Sequence, residues 1–353
     1  MAQITVNYSS NIKQATLEAL ENSNLKSLIS PGMKVSLKPN LVLGKPASSG
    51  ATTHPEIAEA LISYLRDHGV RDIEIIESSW VGDDTKRAFR VCGYEALGKK
   101  AKVPLFDLKD DKCVKLSAGE YDFEVCKKAL DTDFLINIPV LKAHCQTLMT
   151  CCLKNMKGVI SDMEKRRFHA MGLHRPIAFL NKAISSSFSI IDGICGDLTF
   201  EEGGTPVARN MIIAAEDSVA ADSYCAALMG FSVEDIEYLS LAAEIGAGRL
   251  FDESTPALEL NSGDKPIFAK SNGEEIRRLS GFIAESQACS ACYSALVFAL
   301  NRCRRIPGKI SVGQGFKGKS GALGCGNCTC AFDKYVKGCP PKAVEILEFL
   351  KAL

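Results

Sequence analysis

The sequence predicts an α/β protein: a mostly parallel sheet with helices on both faces, followed by a small cysteine-rich region. Three observations point there. Apolar runs such as KVSLKPNLV, DFLINIPV and FSIIDGI are continuous rather than alternating, as in strands buried on both faces. Segments of roughly 10–15 residues with helical periodicity separate them, the pattern of parallel crossovers. Six cysteines, Cys289, Cys292, Cys325, Cys328, Cys330 and Cys339, then cluster in close pairs and Gly-rich turns near the end of the chain.

ITVNY (residues 4–8) reads as the first strand and residues 11–29 as a helix. KVSLKPNLV (34–42) is a strand ending in a Pro-Asn turn. After a polar loop, His54-Pro55 opens a helix that runs through Tyr64 and stops at His68-Gly69. Proline suits the first helical turn and glycine the end. DIEIIES (72–78) is the next strand, and a helix over 86–99 leads to VPLFDL (103–108). DFLINIPVLKAH (133–144) is a β-rich run that breaks into a helix over 146–156. FSIIDGI (188–194) and NMIIAAE (210–216) are two further buried strands, followed by helices over 218–229 and 232–245.

Residues 1–250 are thus expected to form the α/β domain and the polar segment 251–280 a junction. Residues 281–353 form the cysteine-rich region, with a helix over 291–302, the short strand KISVG and a closing helix over 342–350. So small a region has little core, and a metal centre would compensate for that.

Lys plus Arg and Asp plus Glu both total 42, so no net charge argues for nucleic acid or an anionic membrane surface. No apolar run reaches the ~18 residues that span a bilayer. The opening MAQITVNYSS lacks the basic and apolar segments of a signal peptide, so the expected location is the cytoplasm. There the fifteen cysteines stay reduced. Nine are scattered (Cys92, Cys113, Cys126, Cys145, Cys151, Cys152, Cys195, Cys225 and Cys303) and read as small buried hydrophobes.

The other six need a different account. Two C-x-x-C pairs, Cys289/Cys292 and Cys325/Cys328, fit a zinc ribbon, but the gap between them exceeds the usual ~15–20 residues. Zinc on those four also leaves Cys339 unused in Gly-Cys-Pro-Pro. A proline directly after a ligand cysteine recurs in ferredoxin-type clusters. An iron–sulfur cluster therefore fits better, on Cys289 and Cys292 at a helix start, Cys339, and one of Cys325, Cys328 and Cys330. Cys328 is chosen because it shares the turn Gly-Asn-Cys.

The segments SLKPNLV, THPEIAEALISYL, IPVLKAHCQTLMTCCLKNMKG and IIDGI, with the C-terminal CxxC…CxxC…GCPP, together resemble a bacterial and archaeal family, the domain of unknown function 362 family. Its members are often labelled iron–sulfur cluster-binding proteins. The resemblance implies a cubane 4Fe-4S centre and redox chemistry, and it names no substrate. The run CGNCTC departs from it by offering three cysteines where one is enough.

In an open parallel sheet, ligands sit beyond the carboxyl ends of the strands. The sequence places Lys38, Asn40, Glu77, Lys142, His144, Asp192, Glu216 and Asp217 there. Lys154 and Lys157 share a face of the following helix. Lys38, Asn40, Lys154 and Lys157 are expected to bind a small anion, and Lys142 and His144 to be catalytic, because histidine moves protons near neutral pH. The plainer alternative makes Lys154 and Lys157 a solvated face and His144 a core residue. His169 and His174 lack ligand partners at a fitting spacing and are assigned to no metal site. No glycine-rich dinucleotide loop, P-loop or nucleophile elbow occurs.

Two functions follow. One is a 4Fe-4S oxidoreductase or electron-transfer protein acting on a small anion, with a redox partner protein supplying or taking electrons. The other is a non-redox enzyme or anion-binding module with a structural cluster or zinc site.

Overall fold

A computed structural model of the chain describes residues 4–198, 203, 205–252, 254, 257–266, 273–303, 306 and 308–353. In chain order, the first elements are β1 (Ile4–Tyr8), α1 (Ile12–Glu21), α2 (Leu25–Leu28), β2 (Lys34–Pro39), α3 (Pro55–Asp67) and β3 (Asp72–Glu77). Then come α4 (Thr85–Val91), α5 (Tyr94–Ala101), β4 (Leu105–Asp107), β5 (Cys113–Ala118), β6 (Tyr121–Cys126), α6 (Lys127–Leu130) and β7 (Phe134–Ile138). The middle of the chain forms β8 (Lys142–His144), β9 (Leu148–Thr150), α7 (Cys152–Asn155), α8 (Asp162–Met171), α9 (His174–Ala183), β10 (Phe188–Asp197) and β11 (Pro206–Ala215). It continues through α10 (Ser218–Leu228), α11 (Glu237–Glu244), β12 (Leu258–Leu260) and α12 (Gly273–Ser280). The last elements are β13 (Ile283–Glu285), α13 (Ser290–Arg302), β14 (Ile310–Val312), β15 (Leu323–Cys325), β16 (Lys334–Val336) and α14 (Ala343–Lys351).

Among the described residues, eight strands make the main sheet in the order β12-β1-β11-β10-β7-β2-β3-β4. It is parallel except at β11, which runs antiparallel to both β1 and β10. The segment between Asp197 and Pro206 is too short for the crossover that parallel pairing needs, so the strand reverses. Successive residues of one strand face opposite cores. Ile75, Ile190 and Ile212 pack on the side of α1, α3 and α5, whereas Ile76, Ile191 and Ile213 pack on the side of α8 to α11. This is why the strand runs are apolar throughout.

The expected helix over 11–29 breaks at Asn22 to Asn24, and that over 86–99 breaks at Gly93, whose φ of 83° is left-handed. The run 133–144 is interrupted at Pro139 into β7 and β8. The helix expected over 146–156 gives way to the β8–β9 hairpin and one turn of α7. His144 Nδ1 accepts the N–H groups of Gln146 and Thr147, both at 3.1 Å, and this fixes a turn where the helix was expected.

In the expected junction, β12 joins the main sheet beside β1. Residues 253, 255–256 and 267–272 of that segment lie outside the described residues. The cysteine-rich region has more core than its sequence suggests. Its four short strands form a parallel sheet, β13-β14-β15-β16, packed with α13 and α14 around Leu296, Leu300, Ile310, Val312 and Ile346. Six of the nine scattered cysteines are buried, whereas Cys195 and Cys303 are half-buried and Cys113 is exposed. Among the described residues, no helix is long and apolar enough to cross a membrane.

Candidate functional site

The carboxyl ends of β2 and β3 bring Asn40 and Glu77 together. Glu77 is 2% exposed and accepts the N–H groups of Leu41 at 3.1 Å and Ser78 at 2.7 Å. Lys38 Nζ lies behind it, 3.1 and 3.2 Å from its two oxygens. Burial pulls the Lys38 ammonium down and pushes the Glu77 carboxyl up, and their mutual attraction opposes both shifts. Gly158 covers the pair. A Cβ there would fall 2.3 Å from Glu77 Oε1 and 2.5 Å from Lys38 Nζ.

The next wall is the segment around α7. Asn155 Nδ2 donates to Asn137 Oδ1 at 2.7 Å and Asn137 Nδ2 donates to the Cys152 carbonyl at 3.0 Å, which fastens α7 to β7. Asp222 on α10 accepts the N–H groups of Cys152 and Leu153 at 2.7 and 3.1 Å. Burial pushes its carboxyl up to about 6, with those N–H bonds opposing. Cys151, Cys152 and Asp222 hold their ligand atoms within 4.8 Å of one another, all fully buried. The carboxylate there already serves as the cap of α7. Held in this way, the segment presents Lys154, Asn155 and Lys157.

The facing wall is built from two loops and a helix start. Cys289 is the N-cap of α13, and Cys292 lies in its first turn. The Asn327 N–H donates to the Gly338 carbonyl, and the Gly338 N–H donates to Asn327 Oδ1, both at 2.8 Å. One asparagine thereby ties the Cys328 loop to the Cys339 loop. Gly326, with φ 88°, sits where a Cβ would come within 3.5 Å of Cys292 Sγ. Burial raises the Cys289 and Cys328 thiols; the Cys328 and Cys339 sulfurs raise Cys289 further, while Lys317 draws both down. Cys325 is 1% exposed, and burial pushes its thiol up to about 12.

The two walls enclose a cavity of about 550 Å³. Cys289, Cys292, Cys328 and Cys339 line one side, with Gln314 and Lys317. Asn40, Glu77, Lys154, Lys157, Lys165, Arg166 and His169 line the other, and Trp80 lies along its edge. Glu77 is the one carboxylate among the described lining residues. Two buried polar atoms of the lining, Asn40 Oδ1 and Gln314 Nε2, have no hydrogen-bond partner among the described residues. Such atoms are costly unless something polar meets them.

The structure thus brings all four chosen cysteines together with Asn40, Lys154 and Lys157. Lys38 backs the cavity without lining it. Lys142 and His144 do not reach it: both are fully buried, and Lys142 Nζ donates to the Ala51 carbonyl at 2.6 Å. The expected convergence of Lys38, Lys142 and His144 on one pocket does not occur, because their strand ends turn them into the protein instead. His144 holds the turn of Gln146, whose Nε2 donates to Glu285 Oε1 and the Ala288 carbonyl, both at 3.2 Å, docking the cysteine-rich region. Sequence reasoning missed Trp80, Lys165, Arg166, Gln314, Lys317 and Asn327, and it gave His169 no role. The basic run EKRRFH was the one available signal for three of them.

Residues 35–227 match the family described as Domain of unknown function (DUF362), a match that ends before the cysteine-rich region. A thylakoid-associated protein of Synechocystis sp. is 27% identical over 207 residues, which cover 56% of this chain and 63% of that relative. The chain therefore spans less than two thirds of that relative's length. Among solved structures, the lactate racemase apoprotein of Thermoanaerobacterium thermosaccharolyticum is similar over 64% of this chain and 57% of its own, with a TM-score of 0.44 and 15% identity. A protein of Thermotoga maritima is similar over 52% of this chain and 50% of its own, with a TM-score of 0.36 and 14% identity. The family match covers more than half of the chain, and on that ground the protein belongs to the domain of unknown function 362 family.

Proposed function

We propose that Cys289, Cys292, Cys328 and Cys339 hold a cubane iron–sulfur cluster, and that the protein passes electrons between it and a small anionic ligand in the adjoining cavity. One observation carries this reading: the four cysteines form one wall of a cavity whose other wall carries Asn40, Lys154 and Lys157. The absence of a side chain at Gly326 leaves room beside Cys292 Sγ that a Cβ would fill.

When bound, the cluster supplies one-electron transfer. The chain's own residues do the rest. Lys154, Lys157 and Arg166 attract the anion, and Asn40 Oδ1 accepts a hydrogen bond from it. Lys165 Nζ donates to the Ser78 and Ser79 carbonyls, at 3.2 and 2.8 Å, and to the Ser78 hydroxyl, which holds the loop after β3 against α8 beside the cavity. Trp80, Val42 and Val81 keep part of the wall apolar and limit water. A redox titration of anaerobically prepared protein, followed by visible absorbance, tests this reading. Reversible one-electron bleaching is expected. An absorbance unchanged by strong reductant would overturn the redox role and leave a structural centre.

A further inference from the structure

The cavity joins two groups of charge that oppose each other. Four thiolates around a cluster make the cysteine wall negative, and each electron taken up adds one more negative charge. On and around the other wall stand Lys154, Lys157, Lys165 and Arg166, and Lys317 acts on Cys289 and Cys328 directly. Glu77 offsets little of this, because it is bonded to Lys38 behind it. Asn40, only 4% exposed, presents an unpartnered oxygen among the described residues, and Gln314 an unpartnered nitrogen. These groups make a built site for a polar anion, and it lies against the cysteines. A sphere of the cavity's 550 Å³ is about 10 Å across, so a bound anion and the cluster would be separated by less than a few water layers.

We propose that this is a phosphate- or carboxylate-binding site whose occupancy is linked to the redox state of the cysteine wall: the anion is held when the centre is oxidised and loosened when it is reduced. The inference rests on the cluster reading given above. One electron from a one-electron reductant adds a unit of negative charge at Cys289, Cys292, Cys328 and Cys339, and no other bond is made or broken. The lysines then share their attraction between the anion and the more negative wall. Unit charges about 10 Å apart, at an effective dielectric constant near 20, repel enough to weaken binding roughly tenfold. Linkage is reciprocal, so a saturating anion must make the centre harder to reduce by the same factor.

The experiment uses the anaerobic holoprotein and inorganic phosphate, with chloride at equal ionic strength as control. Iron and sulfide are measured in the same samples. Phosphate is expected to lower the midpoint potential by about 59 mV, the equivalent of a tenfold change for one electron, and to bind about tenfold more weakly after reduction by dithionite. Lys154→Gln with Lys157→Gln should lower the potential without phosphate and abolish most of the phosphate shift, whereas Lys351→Gln, at an exposed position at the end of α14, should do neither. A protein holding iron and sulfide whose potential is indifferent to phosphate, or responds equally to chloride, would overturn the linkage alone. A protein without iron and sulfide would overturn the cluster reading, and the linkage with it.

Discussion

Lys38 Nζ stands 3.1 and 3.2 Å from the two carboxylate oxygens of Glu77, and neither side chain reaches solvent to any extent. The pair joins β2 to β3 directly beneath the cavity. Removing one member leaves the other as an uncompensated buried charge, which typically costs about 3–5 kcal/mol, whereas replacing both with apolar groups costs far less. Lys38→Met and Glu77→Leu should each lower the stability by that order, and the double variant by clearly less than their sum. Urea unfolding of the four proteins checks this. Additive losses would mean that the two residues act independently.

Gly158→Ala tests the same pair from above. Its Cβ would meet Glu77 Oε1 at 2.3 Å and Lys38 Nζ at 2.5 Å, distances that force one of them to move. Overpacking of this kind typically costs about 1–3 kcal/mol. The urea midpoint of the variant should fall accordingly, and an unchanged midpoint would show that the roof of the pair can yield.

Asp222 should give the stability a pH dependence of defined sign. Burial raises its carboxyl from 3.8 to about 6, so the folded state binds the proton more readily than the unfolded chain does. The resulting contribution is fully present below about pH 4 and is lost as pH rises through about 6. Asp222→Asn removes it, while other groups titrate alike in both proteins and cancel. The stability of the wild type relative to the variant should therefore decline between about pH 4 and pH 6, by no more than about 3 kcal/mol, and stay flat above that. A difference independent of pH would contradict the assignment.

The three cysteines of CGNCTC should separate cleanly. Cys328 lines the cavity, held toward Cys339 by Asn327, whereas Cys325 is 1% exposed and Cys330 is exposed, neither of them lining it. Cys328→Ser should lose most of the iron, with Cys325→Ser and Cys330→Ser retaining theirs. Iron analysis of the three proteins decides it, and equal contents would show that the ligands interchange or that another cysteine was the right choice.

Much of the main sheet was legible because its strands are long enough to declare themselves. β1, β2, β3 and β7 lie within the expected apolar runs, β10 and β11 contain most of theirs but run on to Asp197 and start back at Pro206, and the stop of α3 at His68-Gly69 follows from glycine at a φ of 86°. The β8–β9 hairpin and the second sheet were not legible. Strands of three residues show no periodicity, and their turns are fixed by contacts such as those of His144 Nδ1. The direction of β11 depended on a short connection, not on its composition. At the site, cysteine spacing with Gly-Cys-Pro-Pro identified one wall, and Asn40, Lys154 and Lys157 part of the other. Trp80, Gln314 and Lys317 come from segments with no motif, brought in only when the two regions dock. Lys142 and His144 lie in a motif at a strand end, but position along the strand does not determine which way a side chain turns.

The measurement that bears most directly on the central claim is iron, acid-labile sulfide and zinc in protein purified without oxygen. The cavity wall of Cys289, Cys292, Cys328 and Cys339 predicts about four irons and four sulfides per chain, with little zinc. Stoichiometric zinc and no sulfide in that material would contradict it.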